Sequence, residues 1–149
     1  MKVIVATDGS EAALDAARRA ITLLRDGAAI ALAVVVPERY DPAADAGGFE
    51  GPVMSEEQAE EEYAEGQAIG NDALARTQAA IGTEAEVLLI STDEAPAEAI
   101  ARVAAEQGAD LIVVGSQEHG FLSRLFHGST SDQVVHHAHC PVLVVPHDT

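Results

Sequence analysis

Residues 2–24 read KVIVATDGSEAALDAARRAITLL, an apolar run followed by a helix-like segment. Lys2 to Thr7 is rich in β-branched residues without polar alternation, which is typical of a strand buried on both faces of a parallel sheet. Asp8-Gly9-Ser10 interrupts the run, and Ser10 is a good N-cap for a helix over Glu11 to Leu24. The stretch therefore predicts one β-α unit of a doubly wound sheet.

The same alternation continues to the end of the chain. Further strands are predicted at Ala29 to Val36, Ala85 to Ser91, Asp110 to Gly115 and Val142 to Val145. Further helices are predicted from a capping box at Ser55 and Gln58 to Ile81, from Ala97 to Gln107 after Pro96, and from Ser129 or Thr130 to His137. This order predicts an α/β fold: a single doubly wound, five-stranded parallel sheet with four helices and right-handed crossovers, as one domain over residues 1–149.

The second predicted helix follows a loop over residues 38–54 that is rich in Gly, Pro and acidic residues. Ten acids and one arginine lie between Glu38 and Glu65, which favours a solvated helix face over a partner-binding patch. The buried stripe of this helix is predicted to contain Ala59, Tyr63, Ile69, Leu74 and Ile81.

Composition excludes several classes of protein. The 149 residues include 25 Asp and Glu against 8 Lys and Arg, for a formal charge of −17, yet 48% are hydrophobic. The hydrophobic share excludes an acidic disordered chain. The charge argues against nucleic-acid binding, which needs cations to neutralise phosphates. Lys2 is the only lysine and no apolar run approaches the ~20 residues of a membrane span, so we expect no membrane association.

The chain shows no signal-peptide pattern, and its single cysteine, Cys140, excludes an intramolecular disulfide. Both features predict a cytoplasmic location. The acidity has two interpretations: adaptation to a high-salt cytoplasm, which the near absence of lysine favours, or an acidic protein of ordinary salt.

In open parallel sheets, ligands bind outside the carboxyl ends of the strands where the winding reverses. This rule points to Asp8, to Val35 and Val36, to Thr92 and Asp93, and to the loop after the fourth strand. That loop opens with Gly115 and closes with Gly128-Ser129 at a helix start, where free N–H groups and hydroxyls can hold a phosphate. Turn chemistry is the alternative explanation of these glycines.

Several stretches resemble the universal stress protein family: VIVATDGSEAA (3–13), the acidic loop before a long helix, APAEAIARVAAEQGADLIVVGS (95–116) and LFHGSTSDQVVHHAHCPVLVVP (125–146). The nucleotide-binding branch of that family carries Gly-x2-Gly-x9-Gly-Ser/Thr after the fourth strand. Gly115, Gly128 and Ser129 match this pattern, whereas Glu118 stands in place of the second glycine.

The resemblance implies a site for ATP or AMP, with or without Mg²⁺. The residues that it implies are Ala6, Thr7, Asp8, Val35, Val114, Gly115, Gln117, Gly128, Ser129 and Thr130. Within it, Asp8 serves the adenosine side and Val35 the base. The Glu118 carboxylate would repel phosphates unless a metal bridges the two or the chain uses Gly120 instead.

Two functions therefore stay open. The first is a stress sensor or regulator that binds an adenine nucleotide, with hydrolysis slow or absent and no catalytic residue identified. The second is an interaction protein whose phosphate loop Glu118 has disabled. A metal site at His136, His139 and Cys140 is less favoured than helix-end and packing roles for these residues.

The predicted last strand, Val142 to Val145, lies at a sheet edge, which needs protection from non-specific pairing. The resemblance implies that this edge pairs with the same strand of a second subunit in a homodimer. The alternative is an edge protected by its short length and by Pro146.

Overall fold

The computed structural model describes residues 1–41, 54–116 and 130–146, without the side chains of Thr130 and Ser131. Strands and helices alternate along the described chain, as predicted. They are β1 (Lys2–Ala6), α1 (Glu11–Leu23), β2 (Ala29–Pro37), α2 (Glu56–Ile81), β3 (Glu86–Thr92), α3 (Pro96–Glu106), β4 (Leu111–Ser116), α4 (Thr130–His137) and β5 (Val142–Pro146). The strand ends differ from the predicted ones by one residue or so.

The five strands form one all-parallel sheet in the order β3-β2-β1-β4-β5. The chain runs outward from β1 through β2 to β3, then crosses back to place β4 on the other side of β1. The direction of winding therefore reverses between β1 and β4, and the predicted doubly wound α/β fold is confirmed.

Helices cover both faces of the sheet. On one face, α1 and α2 pack against Val3 and Val5 of β1, whereas on the other α3 and α4 pack around Ile4. These three β1 side chains are almost fully buried although they point to opposite faces. The burial of both faces explains why this strand reads as an unbroken apolar run. Among the described residues, no helix combines the length and apolarity needed to cross a bilayer.

The helix ends follow local side-chain chemistry. Ser10 Oγ accepts a hydrogen bond from Ala13 N at 3.2 Å, which confirms its role as the N-cap of α1. Ser55 and Gln58 form both bonds of the predicted capping box, at 3.0 and 3.2 Å, and α2 ends at the left-handed Gly82. The alternative N-cap of α4, Ser129, lies outside the described residues.

The predicted buried stripe of α2 is partly wrong. Ala59 and Leu74 are buried as predicted, but Ile69 is 48% exposed, and Tyr63 and Ile81 are only partly buried. The other buried residues of the helix are Gly70, Ala73 and Thr77. The reason is close approach, because a Cβ at Gly70 would lie 2.7 Å from Val36 Cγ1. At Gly70, α2 therefore lies too close to the sheet for a side chain, whereas Leu74 fits into the core one turn further on.

Candidate functional site

The turn after β1 is held by its own side chains. Thr7 N donates to Ala33 O at 2.9 Å, which extends the pairing of β1 with β2 past the last strand residue. Asp8 Oδ1 then accepts from Ser10 N at 2.9 Å, and Gly9 N donates to Thr7 Oγ1 at 3.1 Å. Asp8 is thus placed at the carboxyl end of the sheet, half-buried and next to the start of α1.

The same turn contacts α2. Thr7 is 3% exposed and its hydroxyl bonds to Thr77 Oγ1 at 2.8 Å. Gly9 has a φ of 76°, and a Cβ there would lie 2.8 Å from Ala73 Cα. The Thr7 hydroxyl is therefore committed to α2, so contact with a ligand at this position falls to the backbone.

The end of β4 lies beside this turn, since β1 and β4 are neighbours. Ala6 and Val114 are buried at the adjacent strand ends, and Gly115 is half-buried. A Cβ at Gly115 would lie 3.3 Å from Ala16 Cβ, so close packing of α1 is one reason for a glycine here. Of the predicted residues beyond it, Gln117, Gly128 and Ser129 lie outside the described residues, as does Glu118. Thr130 begins α4.

A cleft of about 520 Å³ opens at the carboxyl ends of β2 and β3. Val35, the predicted base-contacting residue, lines it, as do Thr92 and Asp93, which the sheet rule identifies. Its walls also include Pro37, Glu38, Glu94, Pro96 and Gln133, which sequence reasoning missed. Glu38 and Glu94 could have been identified as residues that follow strand ends. No sequence pattern pointed to Gln133, because it lies within α4 and not after the end of a strand.

One carboxylate of the cleft, Glu94, is held in its ionised form by an arginine. Glu94 accepts two hydrogen bonds from Arg102 Nε, at 2.9 and 3.1 Å, and one from the Thr92 hydroxyl at 3.2 Å. The Arg102 guanidinium holds the pKa of Glu94 below its usual value, which keeps this side chain anionic at neutral pH. Arg102 also bonds to Glu106 at 3.1 Å.

Two other arginines near this edge are paired with glutamates as well. Arg39 contacts Glu60 at 3.2 Å, and Arg76 contacts Glu11 at 3.1 Å. These pairs are exposed, so they exchange partners at small free-energy cost. An anionic ligand entering the edge would compete with glutamates for these cations.

His136, His139 and Cys140, the candidate metal ligands near the end of the chain, all lie within the described residues. Among the described residues, no group of three His, Cys, Asp or Glu side chains is placed to hold an ion, and this includes His136, His139 and Cys140. Burial raises the pKa of the Cys140 thiol, and nearby Asp110 adds to the rise. The thiol is therefore protonated at neutral pH and weakly nucleophilic.

Comparison with known proteins gives the family. The model of the universal stress protein family matches residues 1–146. Universal stress protein MJ0531 of Methanocaldococcus jannaschii is 32% identical over 151 residues, covering 97% of this chain and 81% of that protein. The Thermus aquaticus universal stress protein in the QAH/OAS sulfhydrylase 3′ region is 33% identical over 144 residues, covering 96% of each chain.

A solved structure agrees with these sequence matches. The crystal structure of a universal stress protein in complex with cAMP is 27% identical to this chain, covers 99% of it with 98% of its own length, and has a TM-score of 0.61. Sequence, fold and strand order lead to one assignment. This chain belongs to the universal stress protein family.

Proposed function

We propose that this protein binds an adenine nucleotide, ATP or AMP with or without Mg²⁺, as a stress-response sensor or regulator in the cytoplasm, with hydrolysis slow or absent. The observation that carries the proposal is the 520 Å³ cleft at the carboxyl edge of the sheet, lined by Val35 of β2, which is the strand next to β1. Clefts of roughly 300–1,000 Å³ at such points are the usual size and place of small-ligand sites.

The proposed nucleotide lies along this edge. Its base enters the cleft between Val35 and the two prolines, Pro37 and Pro96, whose apolar surfaces suit an aromatic ring. Its ribose lies near Asp8, whose backbone and carboxylate are oriented by the turn. Its phosphates extend toward Gly115 and the start of α4, where the N–H groups of the first helical turn favour an anion.

The comparison with the cAMP complex supports an adenine nucleotide as the ligand. That protein is 27% identical to this chain and covers it almost completely. cAMP shares its adenosine with ATP and AMP, so the shared part of the ligand is the part assigned to Val35 and Asp8.

Calorimetric titration with ATP and with AMP tests the proposal, in low and in molar KCl, with and without Mg²⁺. We expect wild-type protein to bind, and Glu118→Gly to bind more tightly by tenfold or more. A like charge within about 4 Å of a phosphate is repulsive by several kcal/mol at intermediate dielectric, and ~1.4 kcal/mol is tenfold. Glu84→Gln is the control, because it removes a charge just before β3, at the amino ends of the strands and away from the proposed site.

A second candidate function is that of an interaction protein without a nucleotide. Three carboxylates, Glu38, Asp93 and Glu94, line the cleft, and its described lining includes no Lys or Arg. If wild-type protein binds no nucleotide in any condition while Glu118→Gly binds ATP, the nucleotide proposal is wrong and the interaction function stands.

We also propose that β5 pairs with β5 of a second copy in a homodimer. β5 is an edge strand of the described sheet, and Val144 on it is 37% exposed. Val144→Lys should convert the dimer to monomer in analytical ultracentrifugation, since edge lysines oppose strand pairing. Val87→Lys on the opposite edge strand β3, where Val87 is 53% exposed, is the matched control. A monomeric wild type would contradict the proposal.

A further inference from the structure

A chain of buried hydrogen bonds joins α2 to the turn after β1. Gly9 N donates to Thr7 Oγ1 at 3.1 Å, the Thr7 and Thr77 hydroxyls lie 2.8 Å apart, and Thr77 Oγ1 donates to Ala73 O at 2.8 Å. A threonine hydroxyl has one proton. Because Thr77 gives its proton to Ala73, Thr7 must donate to Thr77, and its lone pairs are left for Gly9. The direction of the chain is thus determined.

The burial of these hydrogen bonds makes them difficult to replace with bonds to water. Thr7 is 3% exposed and Thr77 is 0% exposed, and among the described residues these are the buried polar side chains. No water competes for such bonds, and an unpaired buried hydroxyl would be unfavourable. Threonine is also a weaker helix former than the alanines around it in α2, so its presence inside the helix requires another reason.

Shape reinforces the bonds. Gly9 faces Ala73 so closely that a Cβ would lie 2.8 Å from Ala73 Cα. The turn is therefore held against α2 by contact at Gly9 and by the hydroxyl pair at Thr7. Asp8 lies between these two residues, and a shift of α2 would move all three together.

We propose that Thr77 is a positioning residue of the nucleotide site. It acts through Thr7 to hold the Asp8 turn in its binding geometry, and it touches no ligand itself. This inference rests on the proposed function. It also has a reciprocal consequence: if the placement of α2 sets nucleotide affinity, nucleotide binding must in turn stabilise the contact of α2 with the turn.

The test compares Thr77→Val, which keeps the shape without the hydroxyl, with Thr77→Ser, which keeps the hydroxyl. Thr22→Val is the matched control, because the Thr22 hydroxyl also bonds to a helix carbonyl, Arg19 O at 2.7 Å, but is exposed on α1. AMP affinity is measured by calorimetry and hydrogen exchange at the Gly9 amide by NMR. Thr77→Ala, a better helix former, replaces Thr77→Val if the latter does not fold.

We expect Thr77→Val to weaken AMP binding about tenfold and to accelerate Gly9 exchange, since losing a buried hydrogen-bond partner has an effect of this order. Thr77→Ser and Thr22→Val should match wild type in both measurements. Wild-type affinity in Thr77→Val, or equal losses in Thr77→Val and Thr77→Ser, would overturn the inference. If wild-type protein does not bind AMP, the proposed function is refuted instead. In that case the Gly9 amide still tests whether Thr77 holds the turn after β1: an unchanged exchange rate in Thr77→Val would refute that role too.

Discussion

At the scale of single residues, Gly9 and Gly27 share a positive φ angle in different surroundings. Their φ angles are 76° and 84°, both in the left-handed region that side chains rarely adopt. A Cβ at Gly9 would collide with Ala73 of α2, whereas a Cβ at Gly27 would have no described neighbour within 4 Å outside the adjacent residues. The two positions thus separate backbone strain from steric collision.

We predict that Gly9→Ala lowers the free energy of unfolding by about 2–5 kcal/mol and Gly27→Ala by about 1–2 kcal/mol. The left-handed conformation accounts for ~1–2 kcal/mol in both, and overpacking adds ~1–3 kcal/mol at Gly9. Urea unfolding followed by circular dichroism measures the difference. Equal losses in the two variants would show that Ala73 moves aside and that the turn is not held by α2.

A second prediction at this scale concerns the pH dependence of Glu94. Its pKa is lowered chiefly by the hydrogen bonds from Arg102. A carboxylate with a lowered folded-state pKa stabilises the fold above its unfolded pKa, and this contribution disappears as the pH falls through the folded value. In Arg102→Gln, NMR titration should show the pKa of Glu94 moving up toward its ordinary value. The stability lost relative to wild type should be greatest at neutral pH and vanish in acid.

The control for this titration is Arg39→Gln, which removes a guanidinium from the Arg39–Glu60 pair. It should leave the pKa of Glu94 unchanged. A Glu94 pKa that stays low in Arg102→Gln would assign the shift to the Thr92 hydroxyl instead.

At the scale of elements, α2 connects the acidic surface of the protein to its candidate site. The helix begins at the Ser55 capping box among exposed glutamates, and its later turns lie against the sheet and the turn after β1. Two glycines mark the difference between these parts. A Cβ at Gly66 would be 3.7 Å from Pro37 Cδ, an ordinary contact, whereas at Gly70 it would be 2.7 Å from Val36 Cγ1.

We predict opposite effects of the same substitution at these two positions. Gly66→Ala should raise the free energy of unfolding by about 0.5–1 kcal/mol, because alanine is the better helix former. Gly70→Ala gains the same helical preference, but its Cβ pushes α2 away from the sheet. Because this overpacking costs ~1–3 kcal/mol, we expect a net destabilisation of roughly 1 kcal/mol. Denaturant unfolding of both variants checks the signs. If Gly70→Ala were more stable than wild type, α2 would not be packed closely against β2.

At the scale of the whole molecule, the formal charge of −17 acts on stability through self-repulsion. The ion pairs that the structure describes are surface pairs, such as Arg39 with Glu60 and Arg76 with Glu11. Exposed pairs contribute about 0–1 kcal/mol each, so their loss on screening is small compared with relief of repulsion among the excess acids.

We therefore predict that the unfolding midpoint in urea, which is uncharged, rises steadily from low salt to molar KCl. The Debye length falls from about 30 Å at 0.01 M to about 3 Å at 1 M, which screens the acids of α2 from one another. The control is a variant in which Glu57, Glu61 and Glu65 are replaced by Gln. The rise of the unfolding midpoint of this variant on adding KCl should be smaller than that of wild type. A midpoint independent of KCl would contradict salt adaptation.

Much of this protein was determined by its sequence. The order of strands and helices, the Ser10 and Ser55 caps and the end of α2 at Ile81 depend on neighbours in the chain, so the residue pattern was sufficient to predict them. The carboxyl-edge rule also identified Val35 and Asp93, which line the cleft. These features share one cause: the physical preferences behind them act over a few residues.

Only the tertiary structure decided which surfaces meet. The apolar pattern of α2 predicted that Ile69 is buried. Gly70 is buried instead, because the helix approaches the sheet too closely there for a larger side chain. Thr7 and Thr77 bond across 70 positions of sequence, and their pairing depends on how α2 lies against the turn. Pairings of this kind leave no local pattern, because they are set by the packing distance between a helix and a sheet.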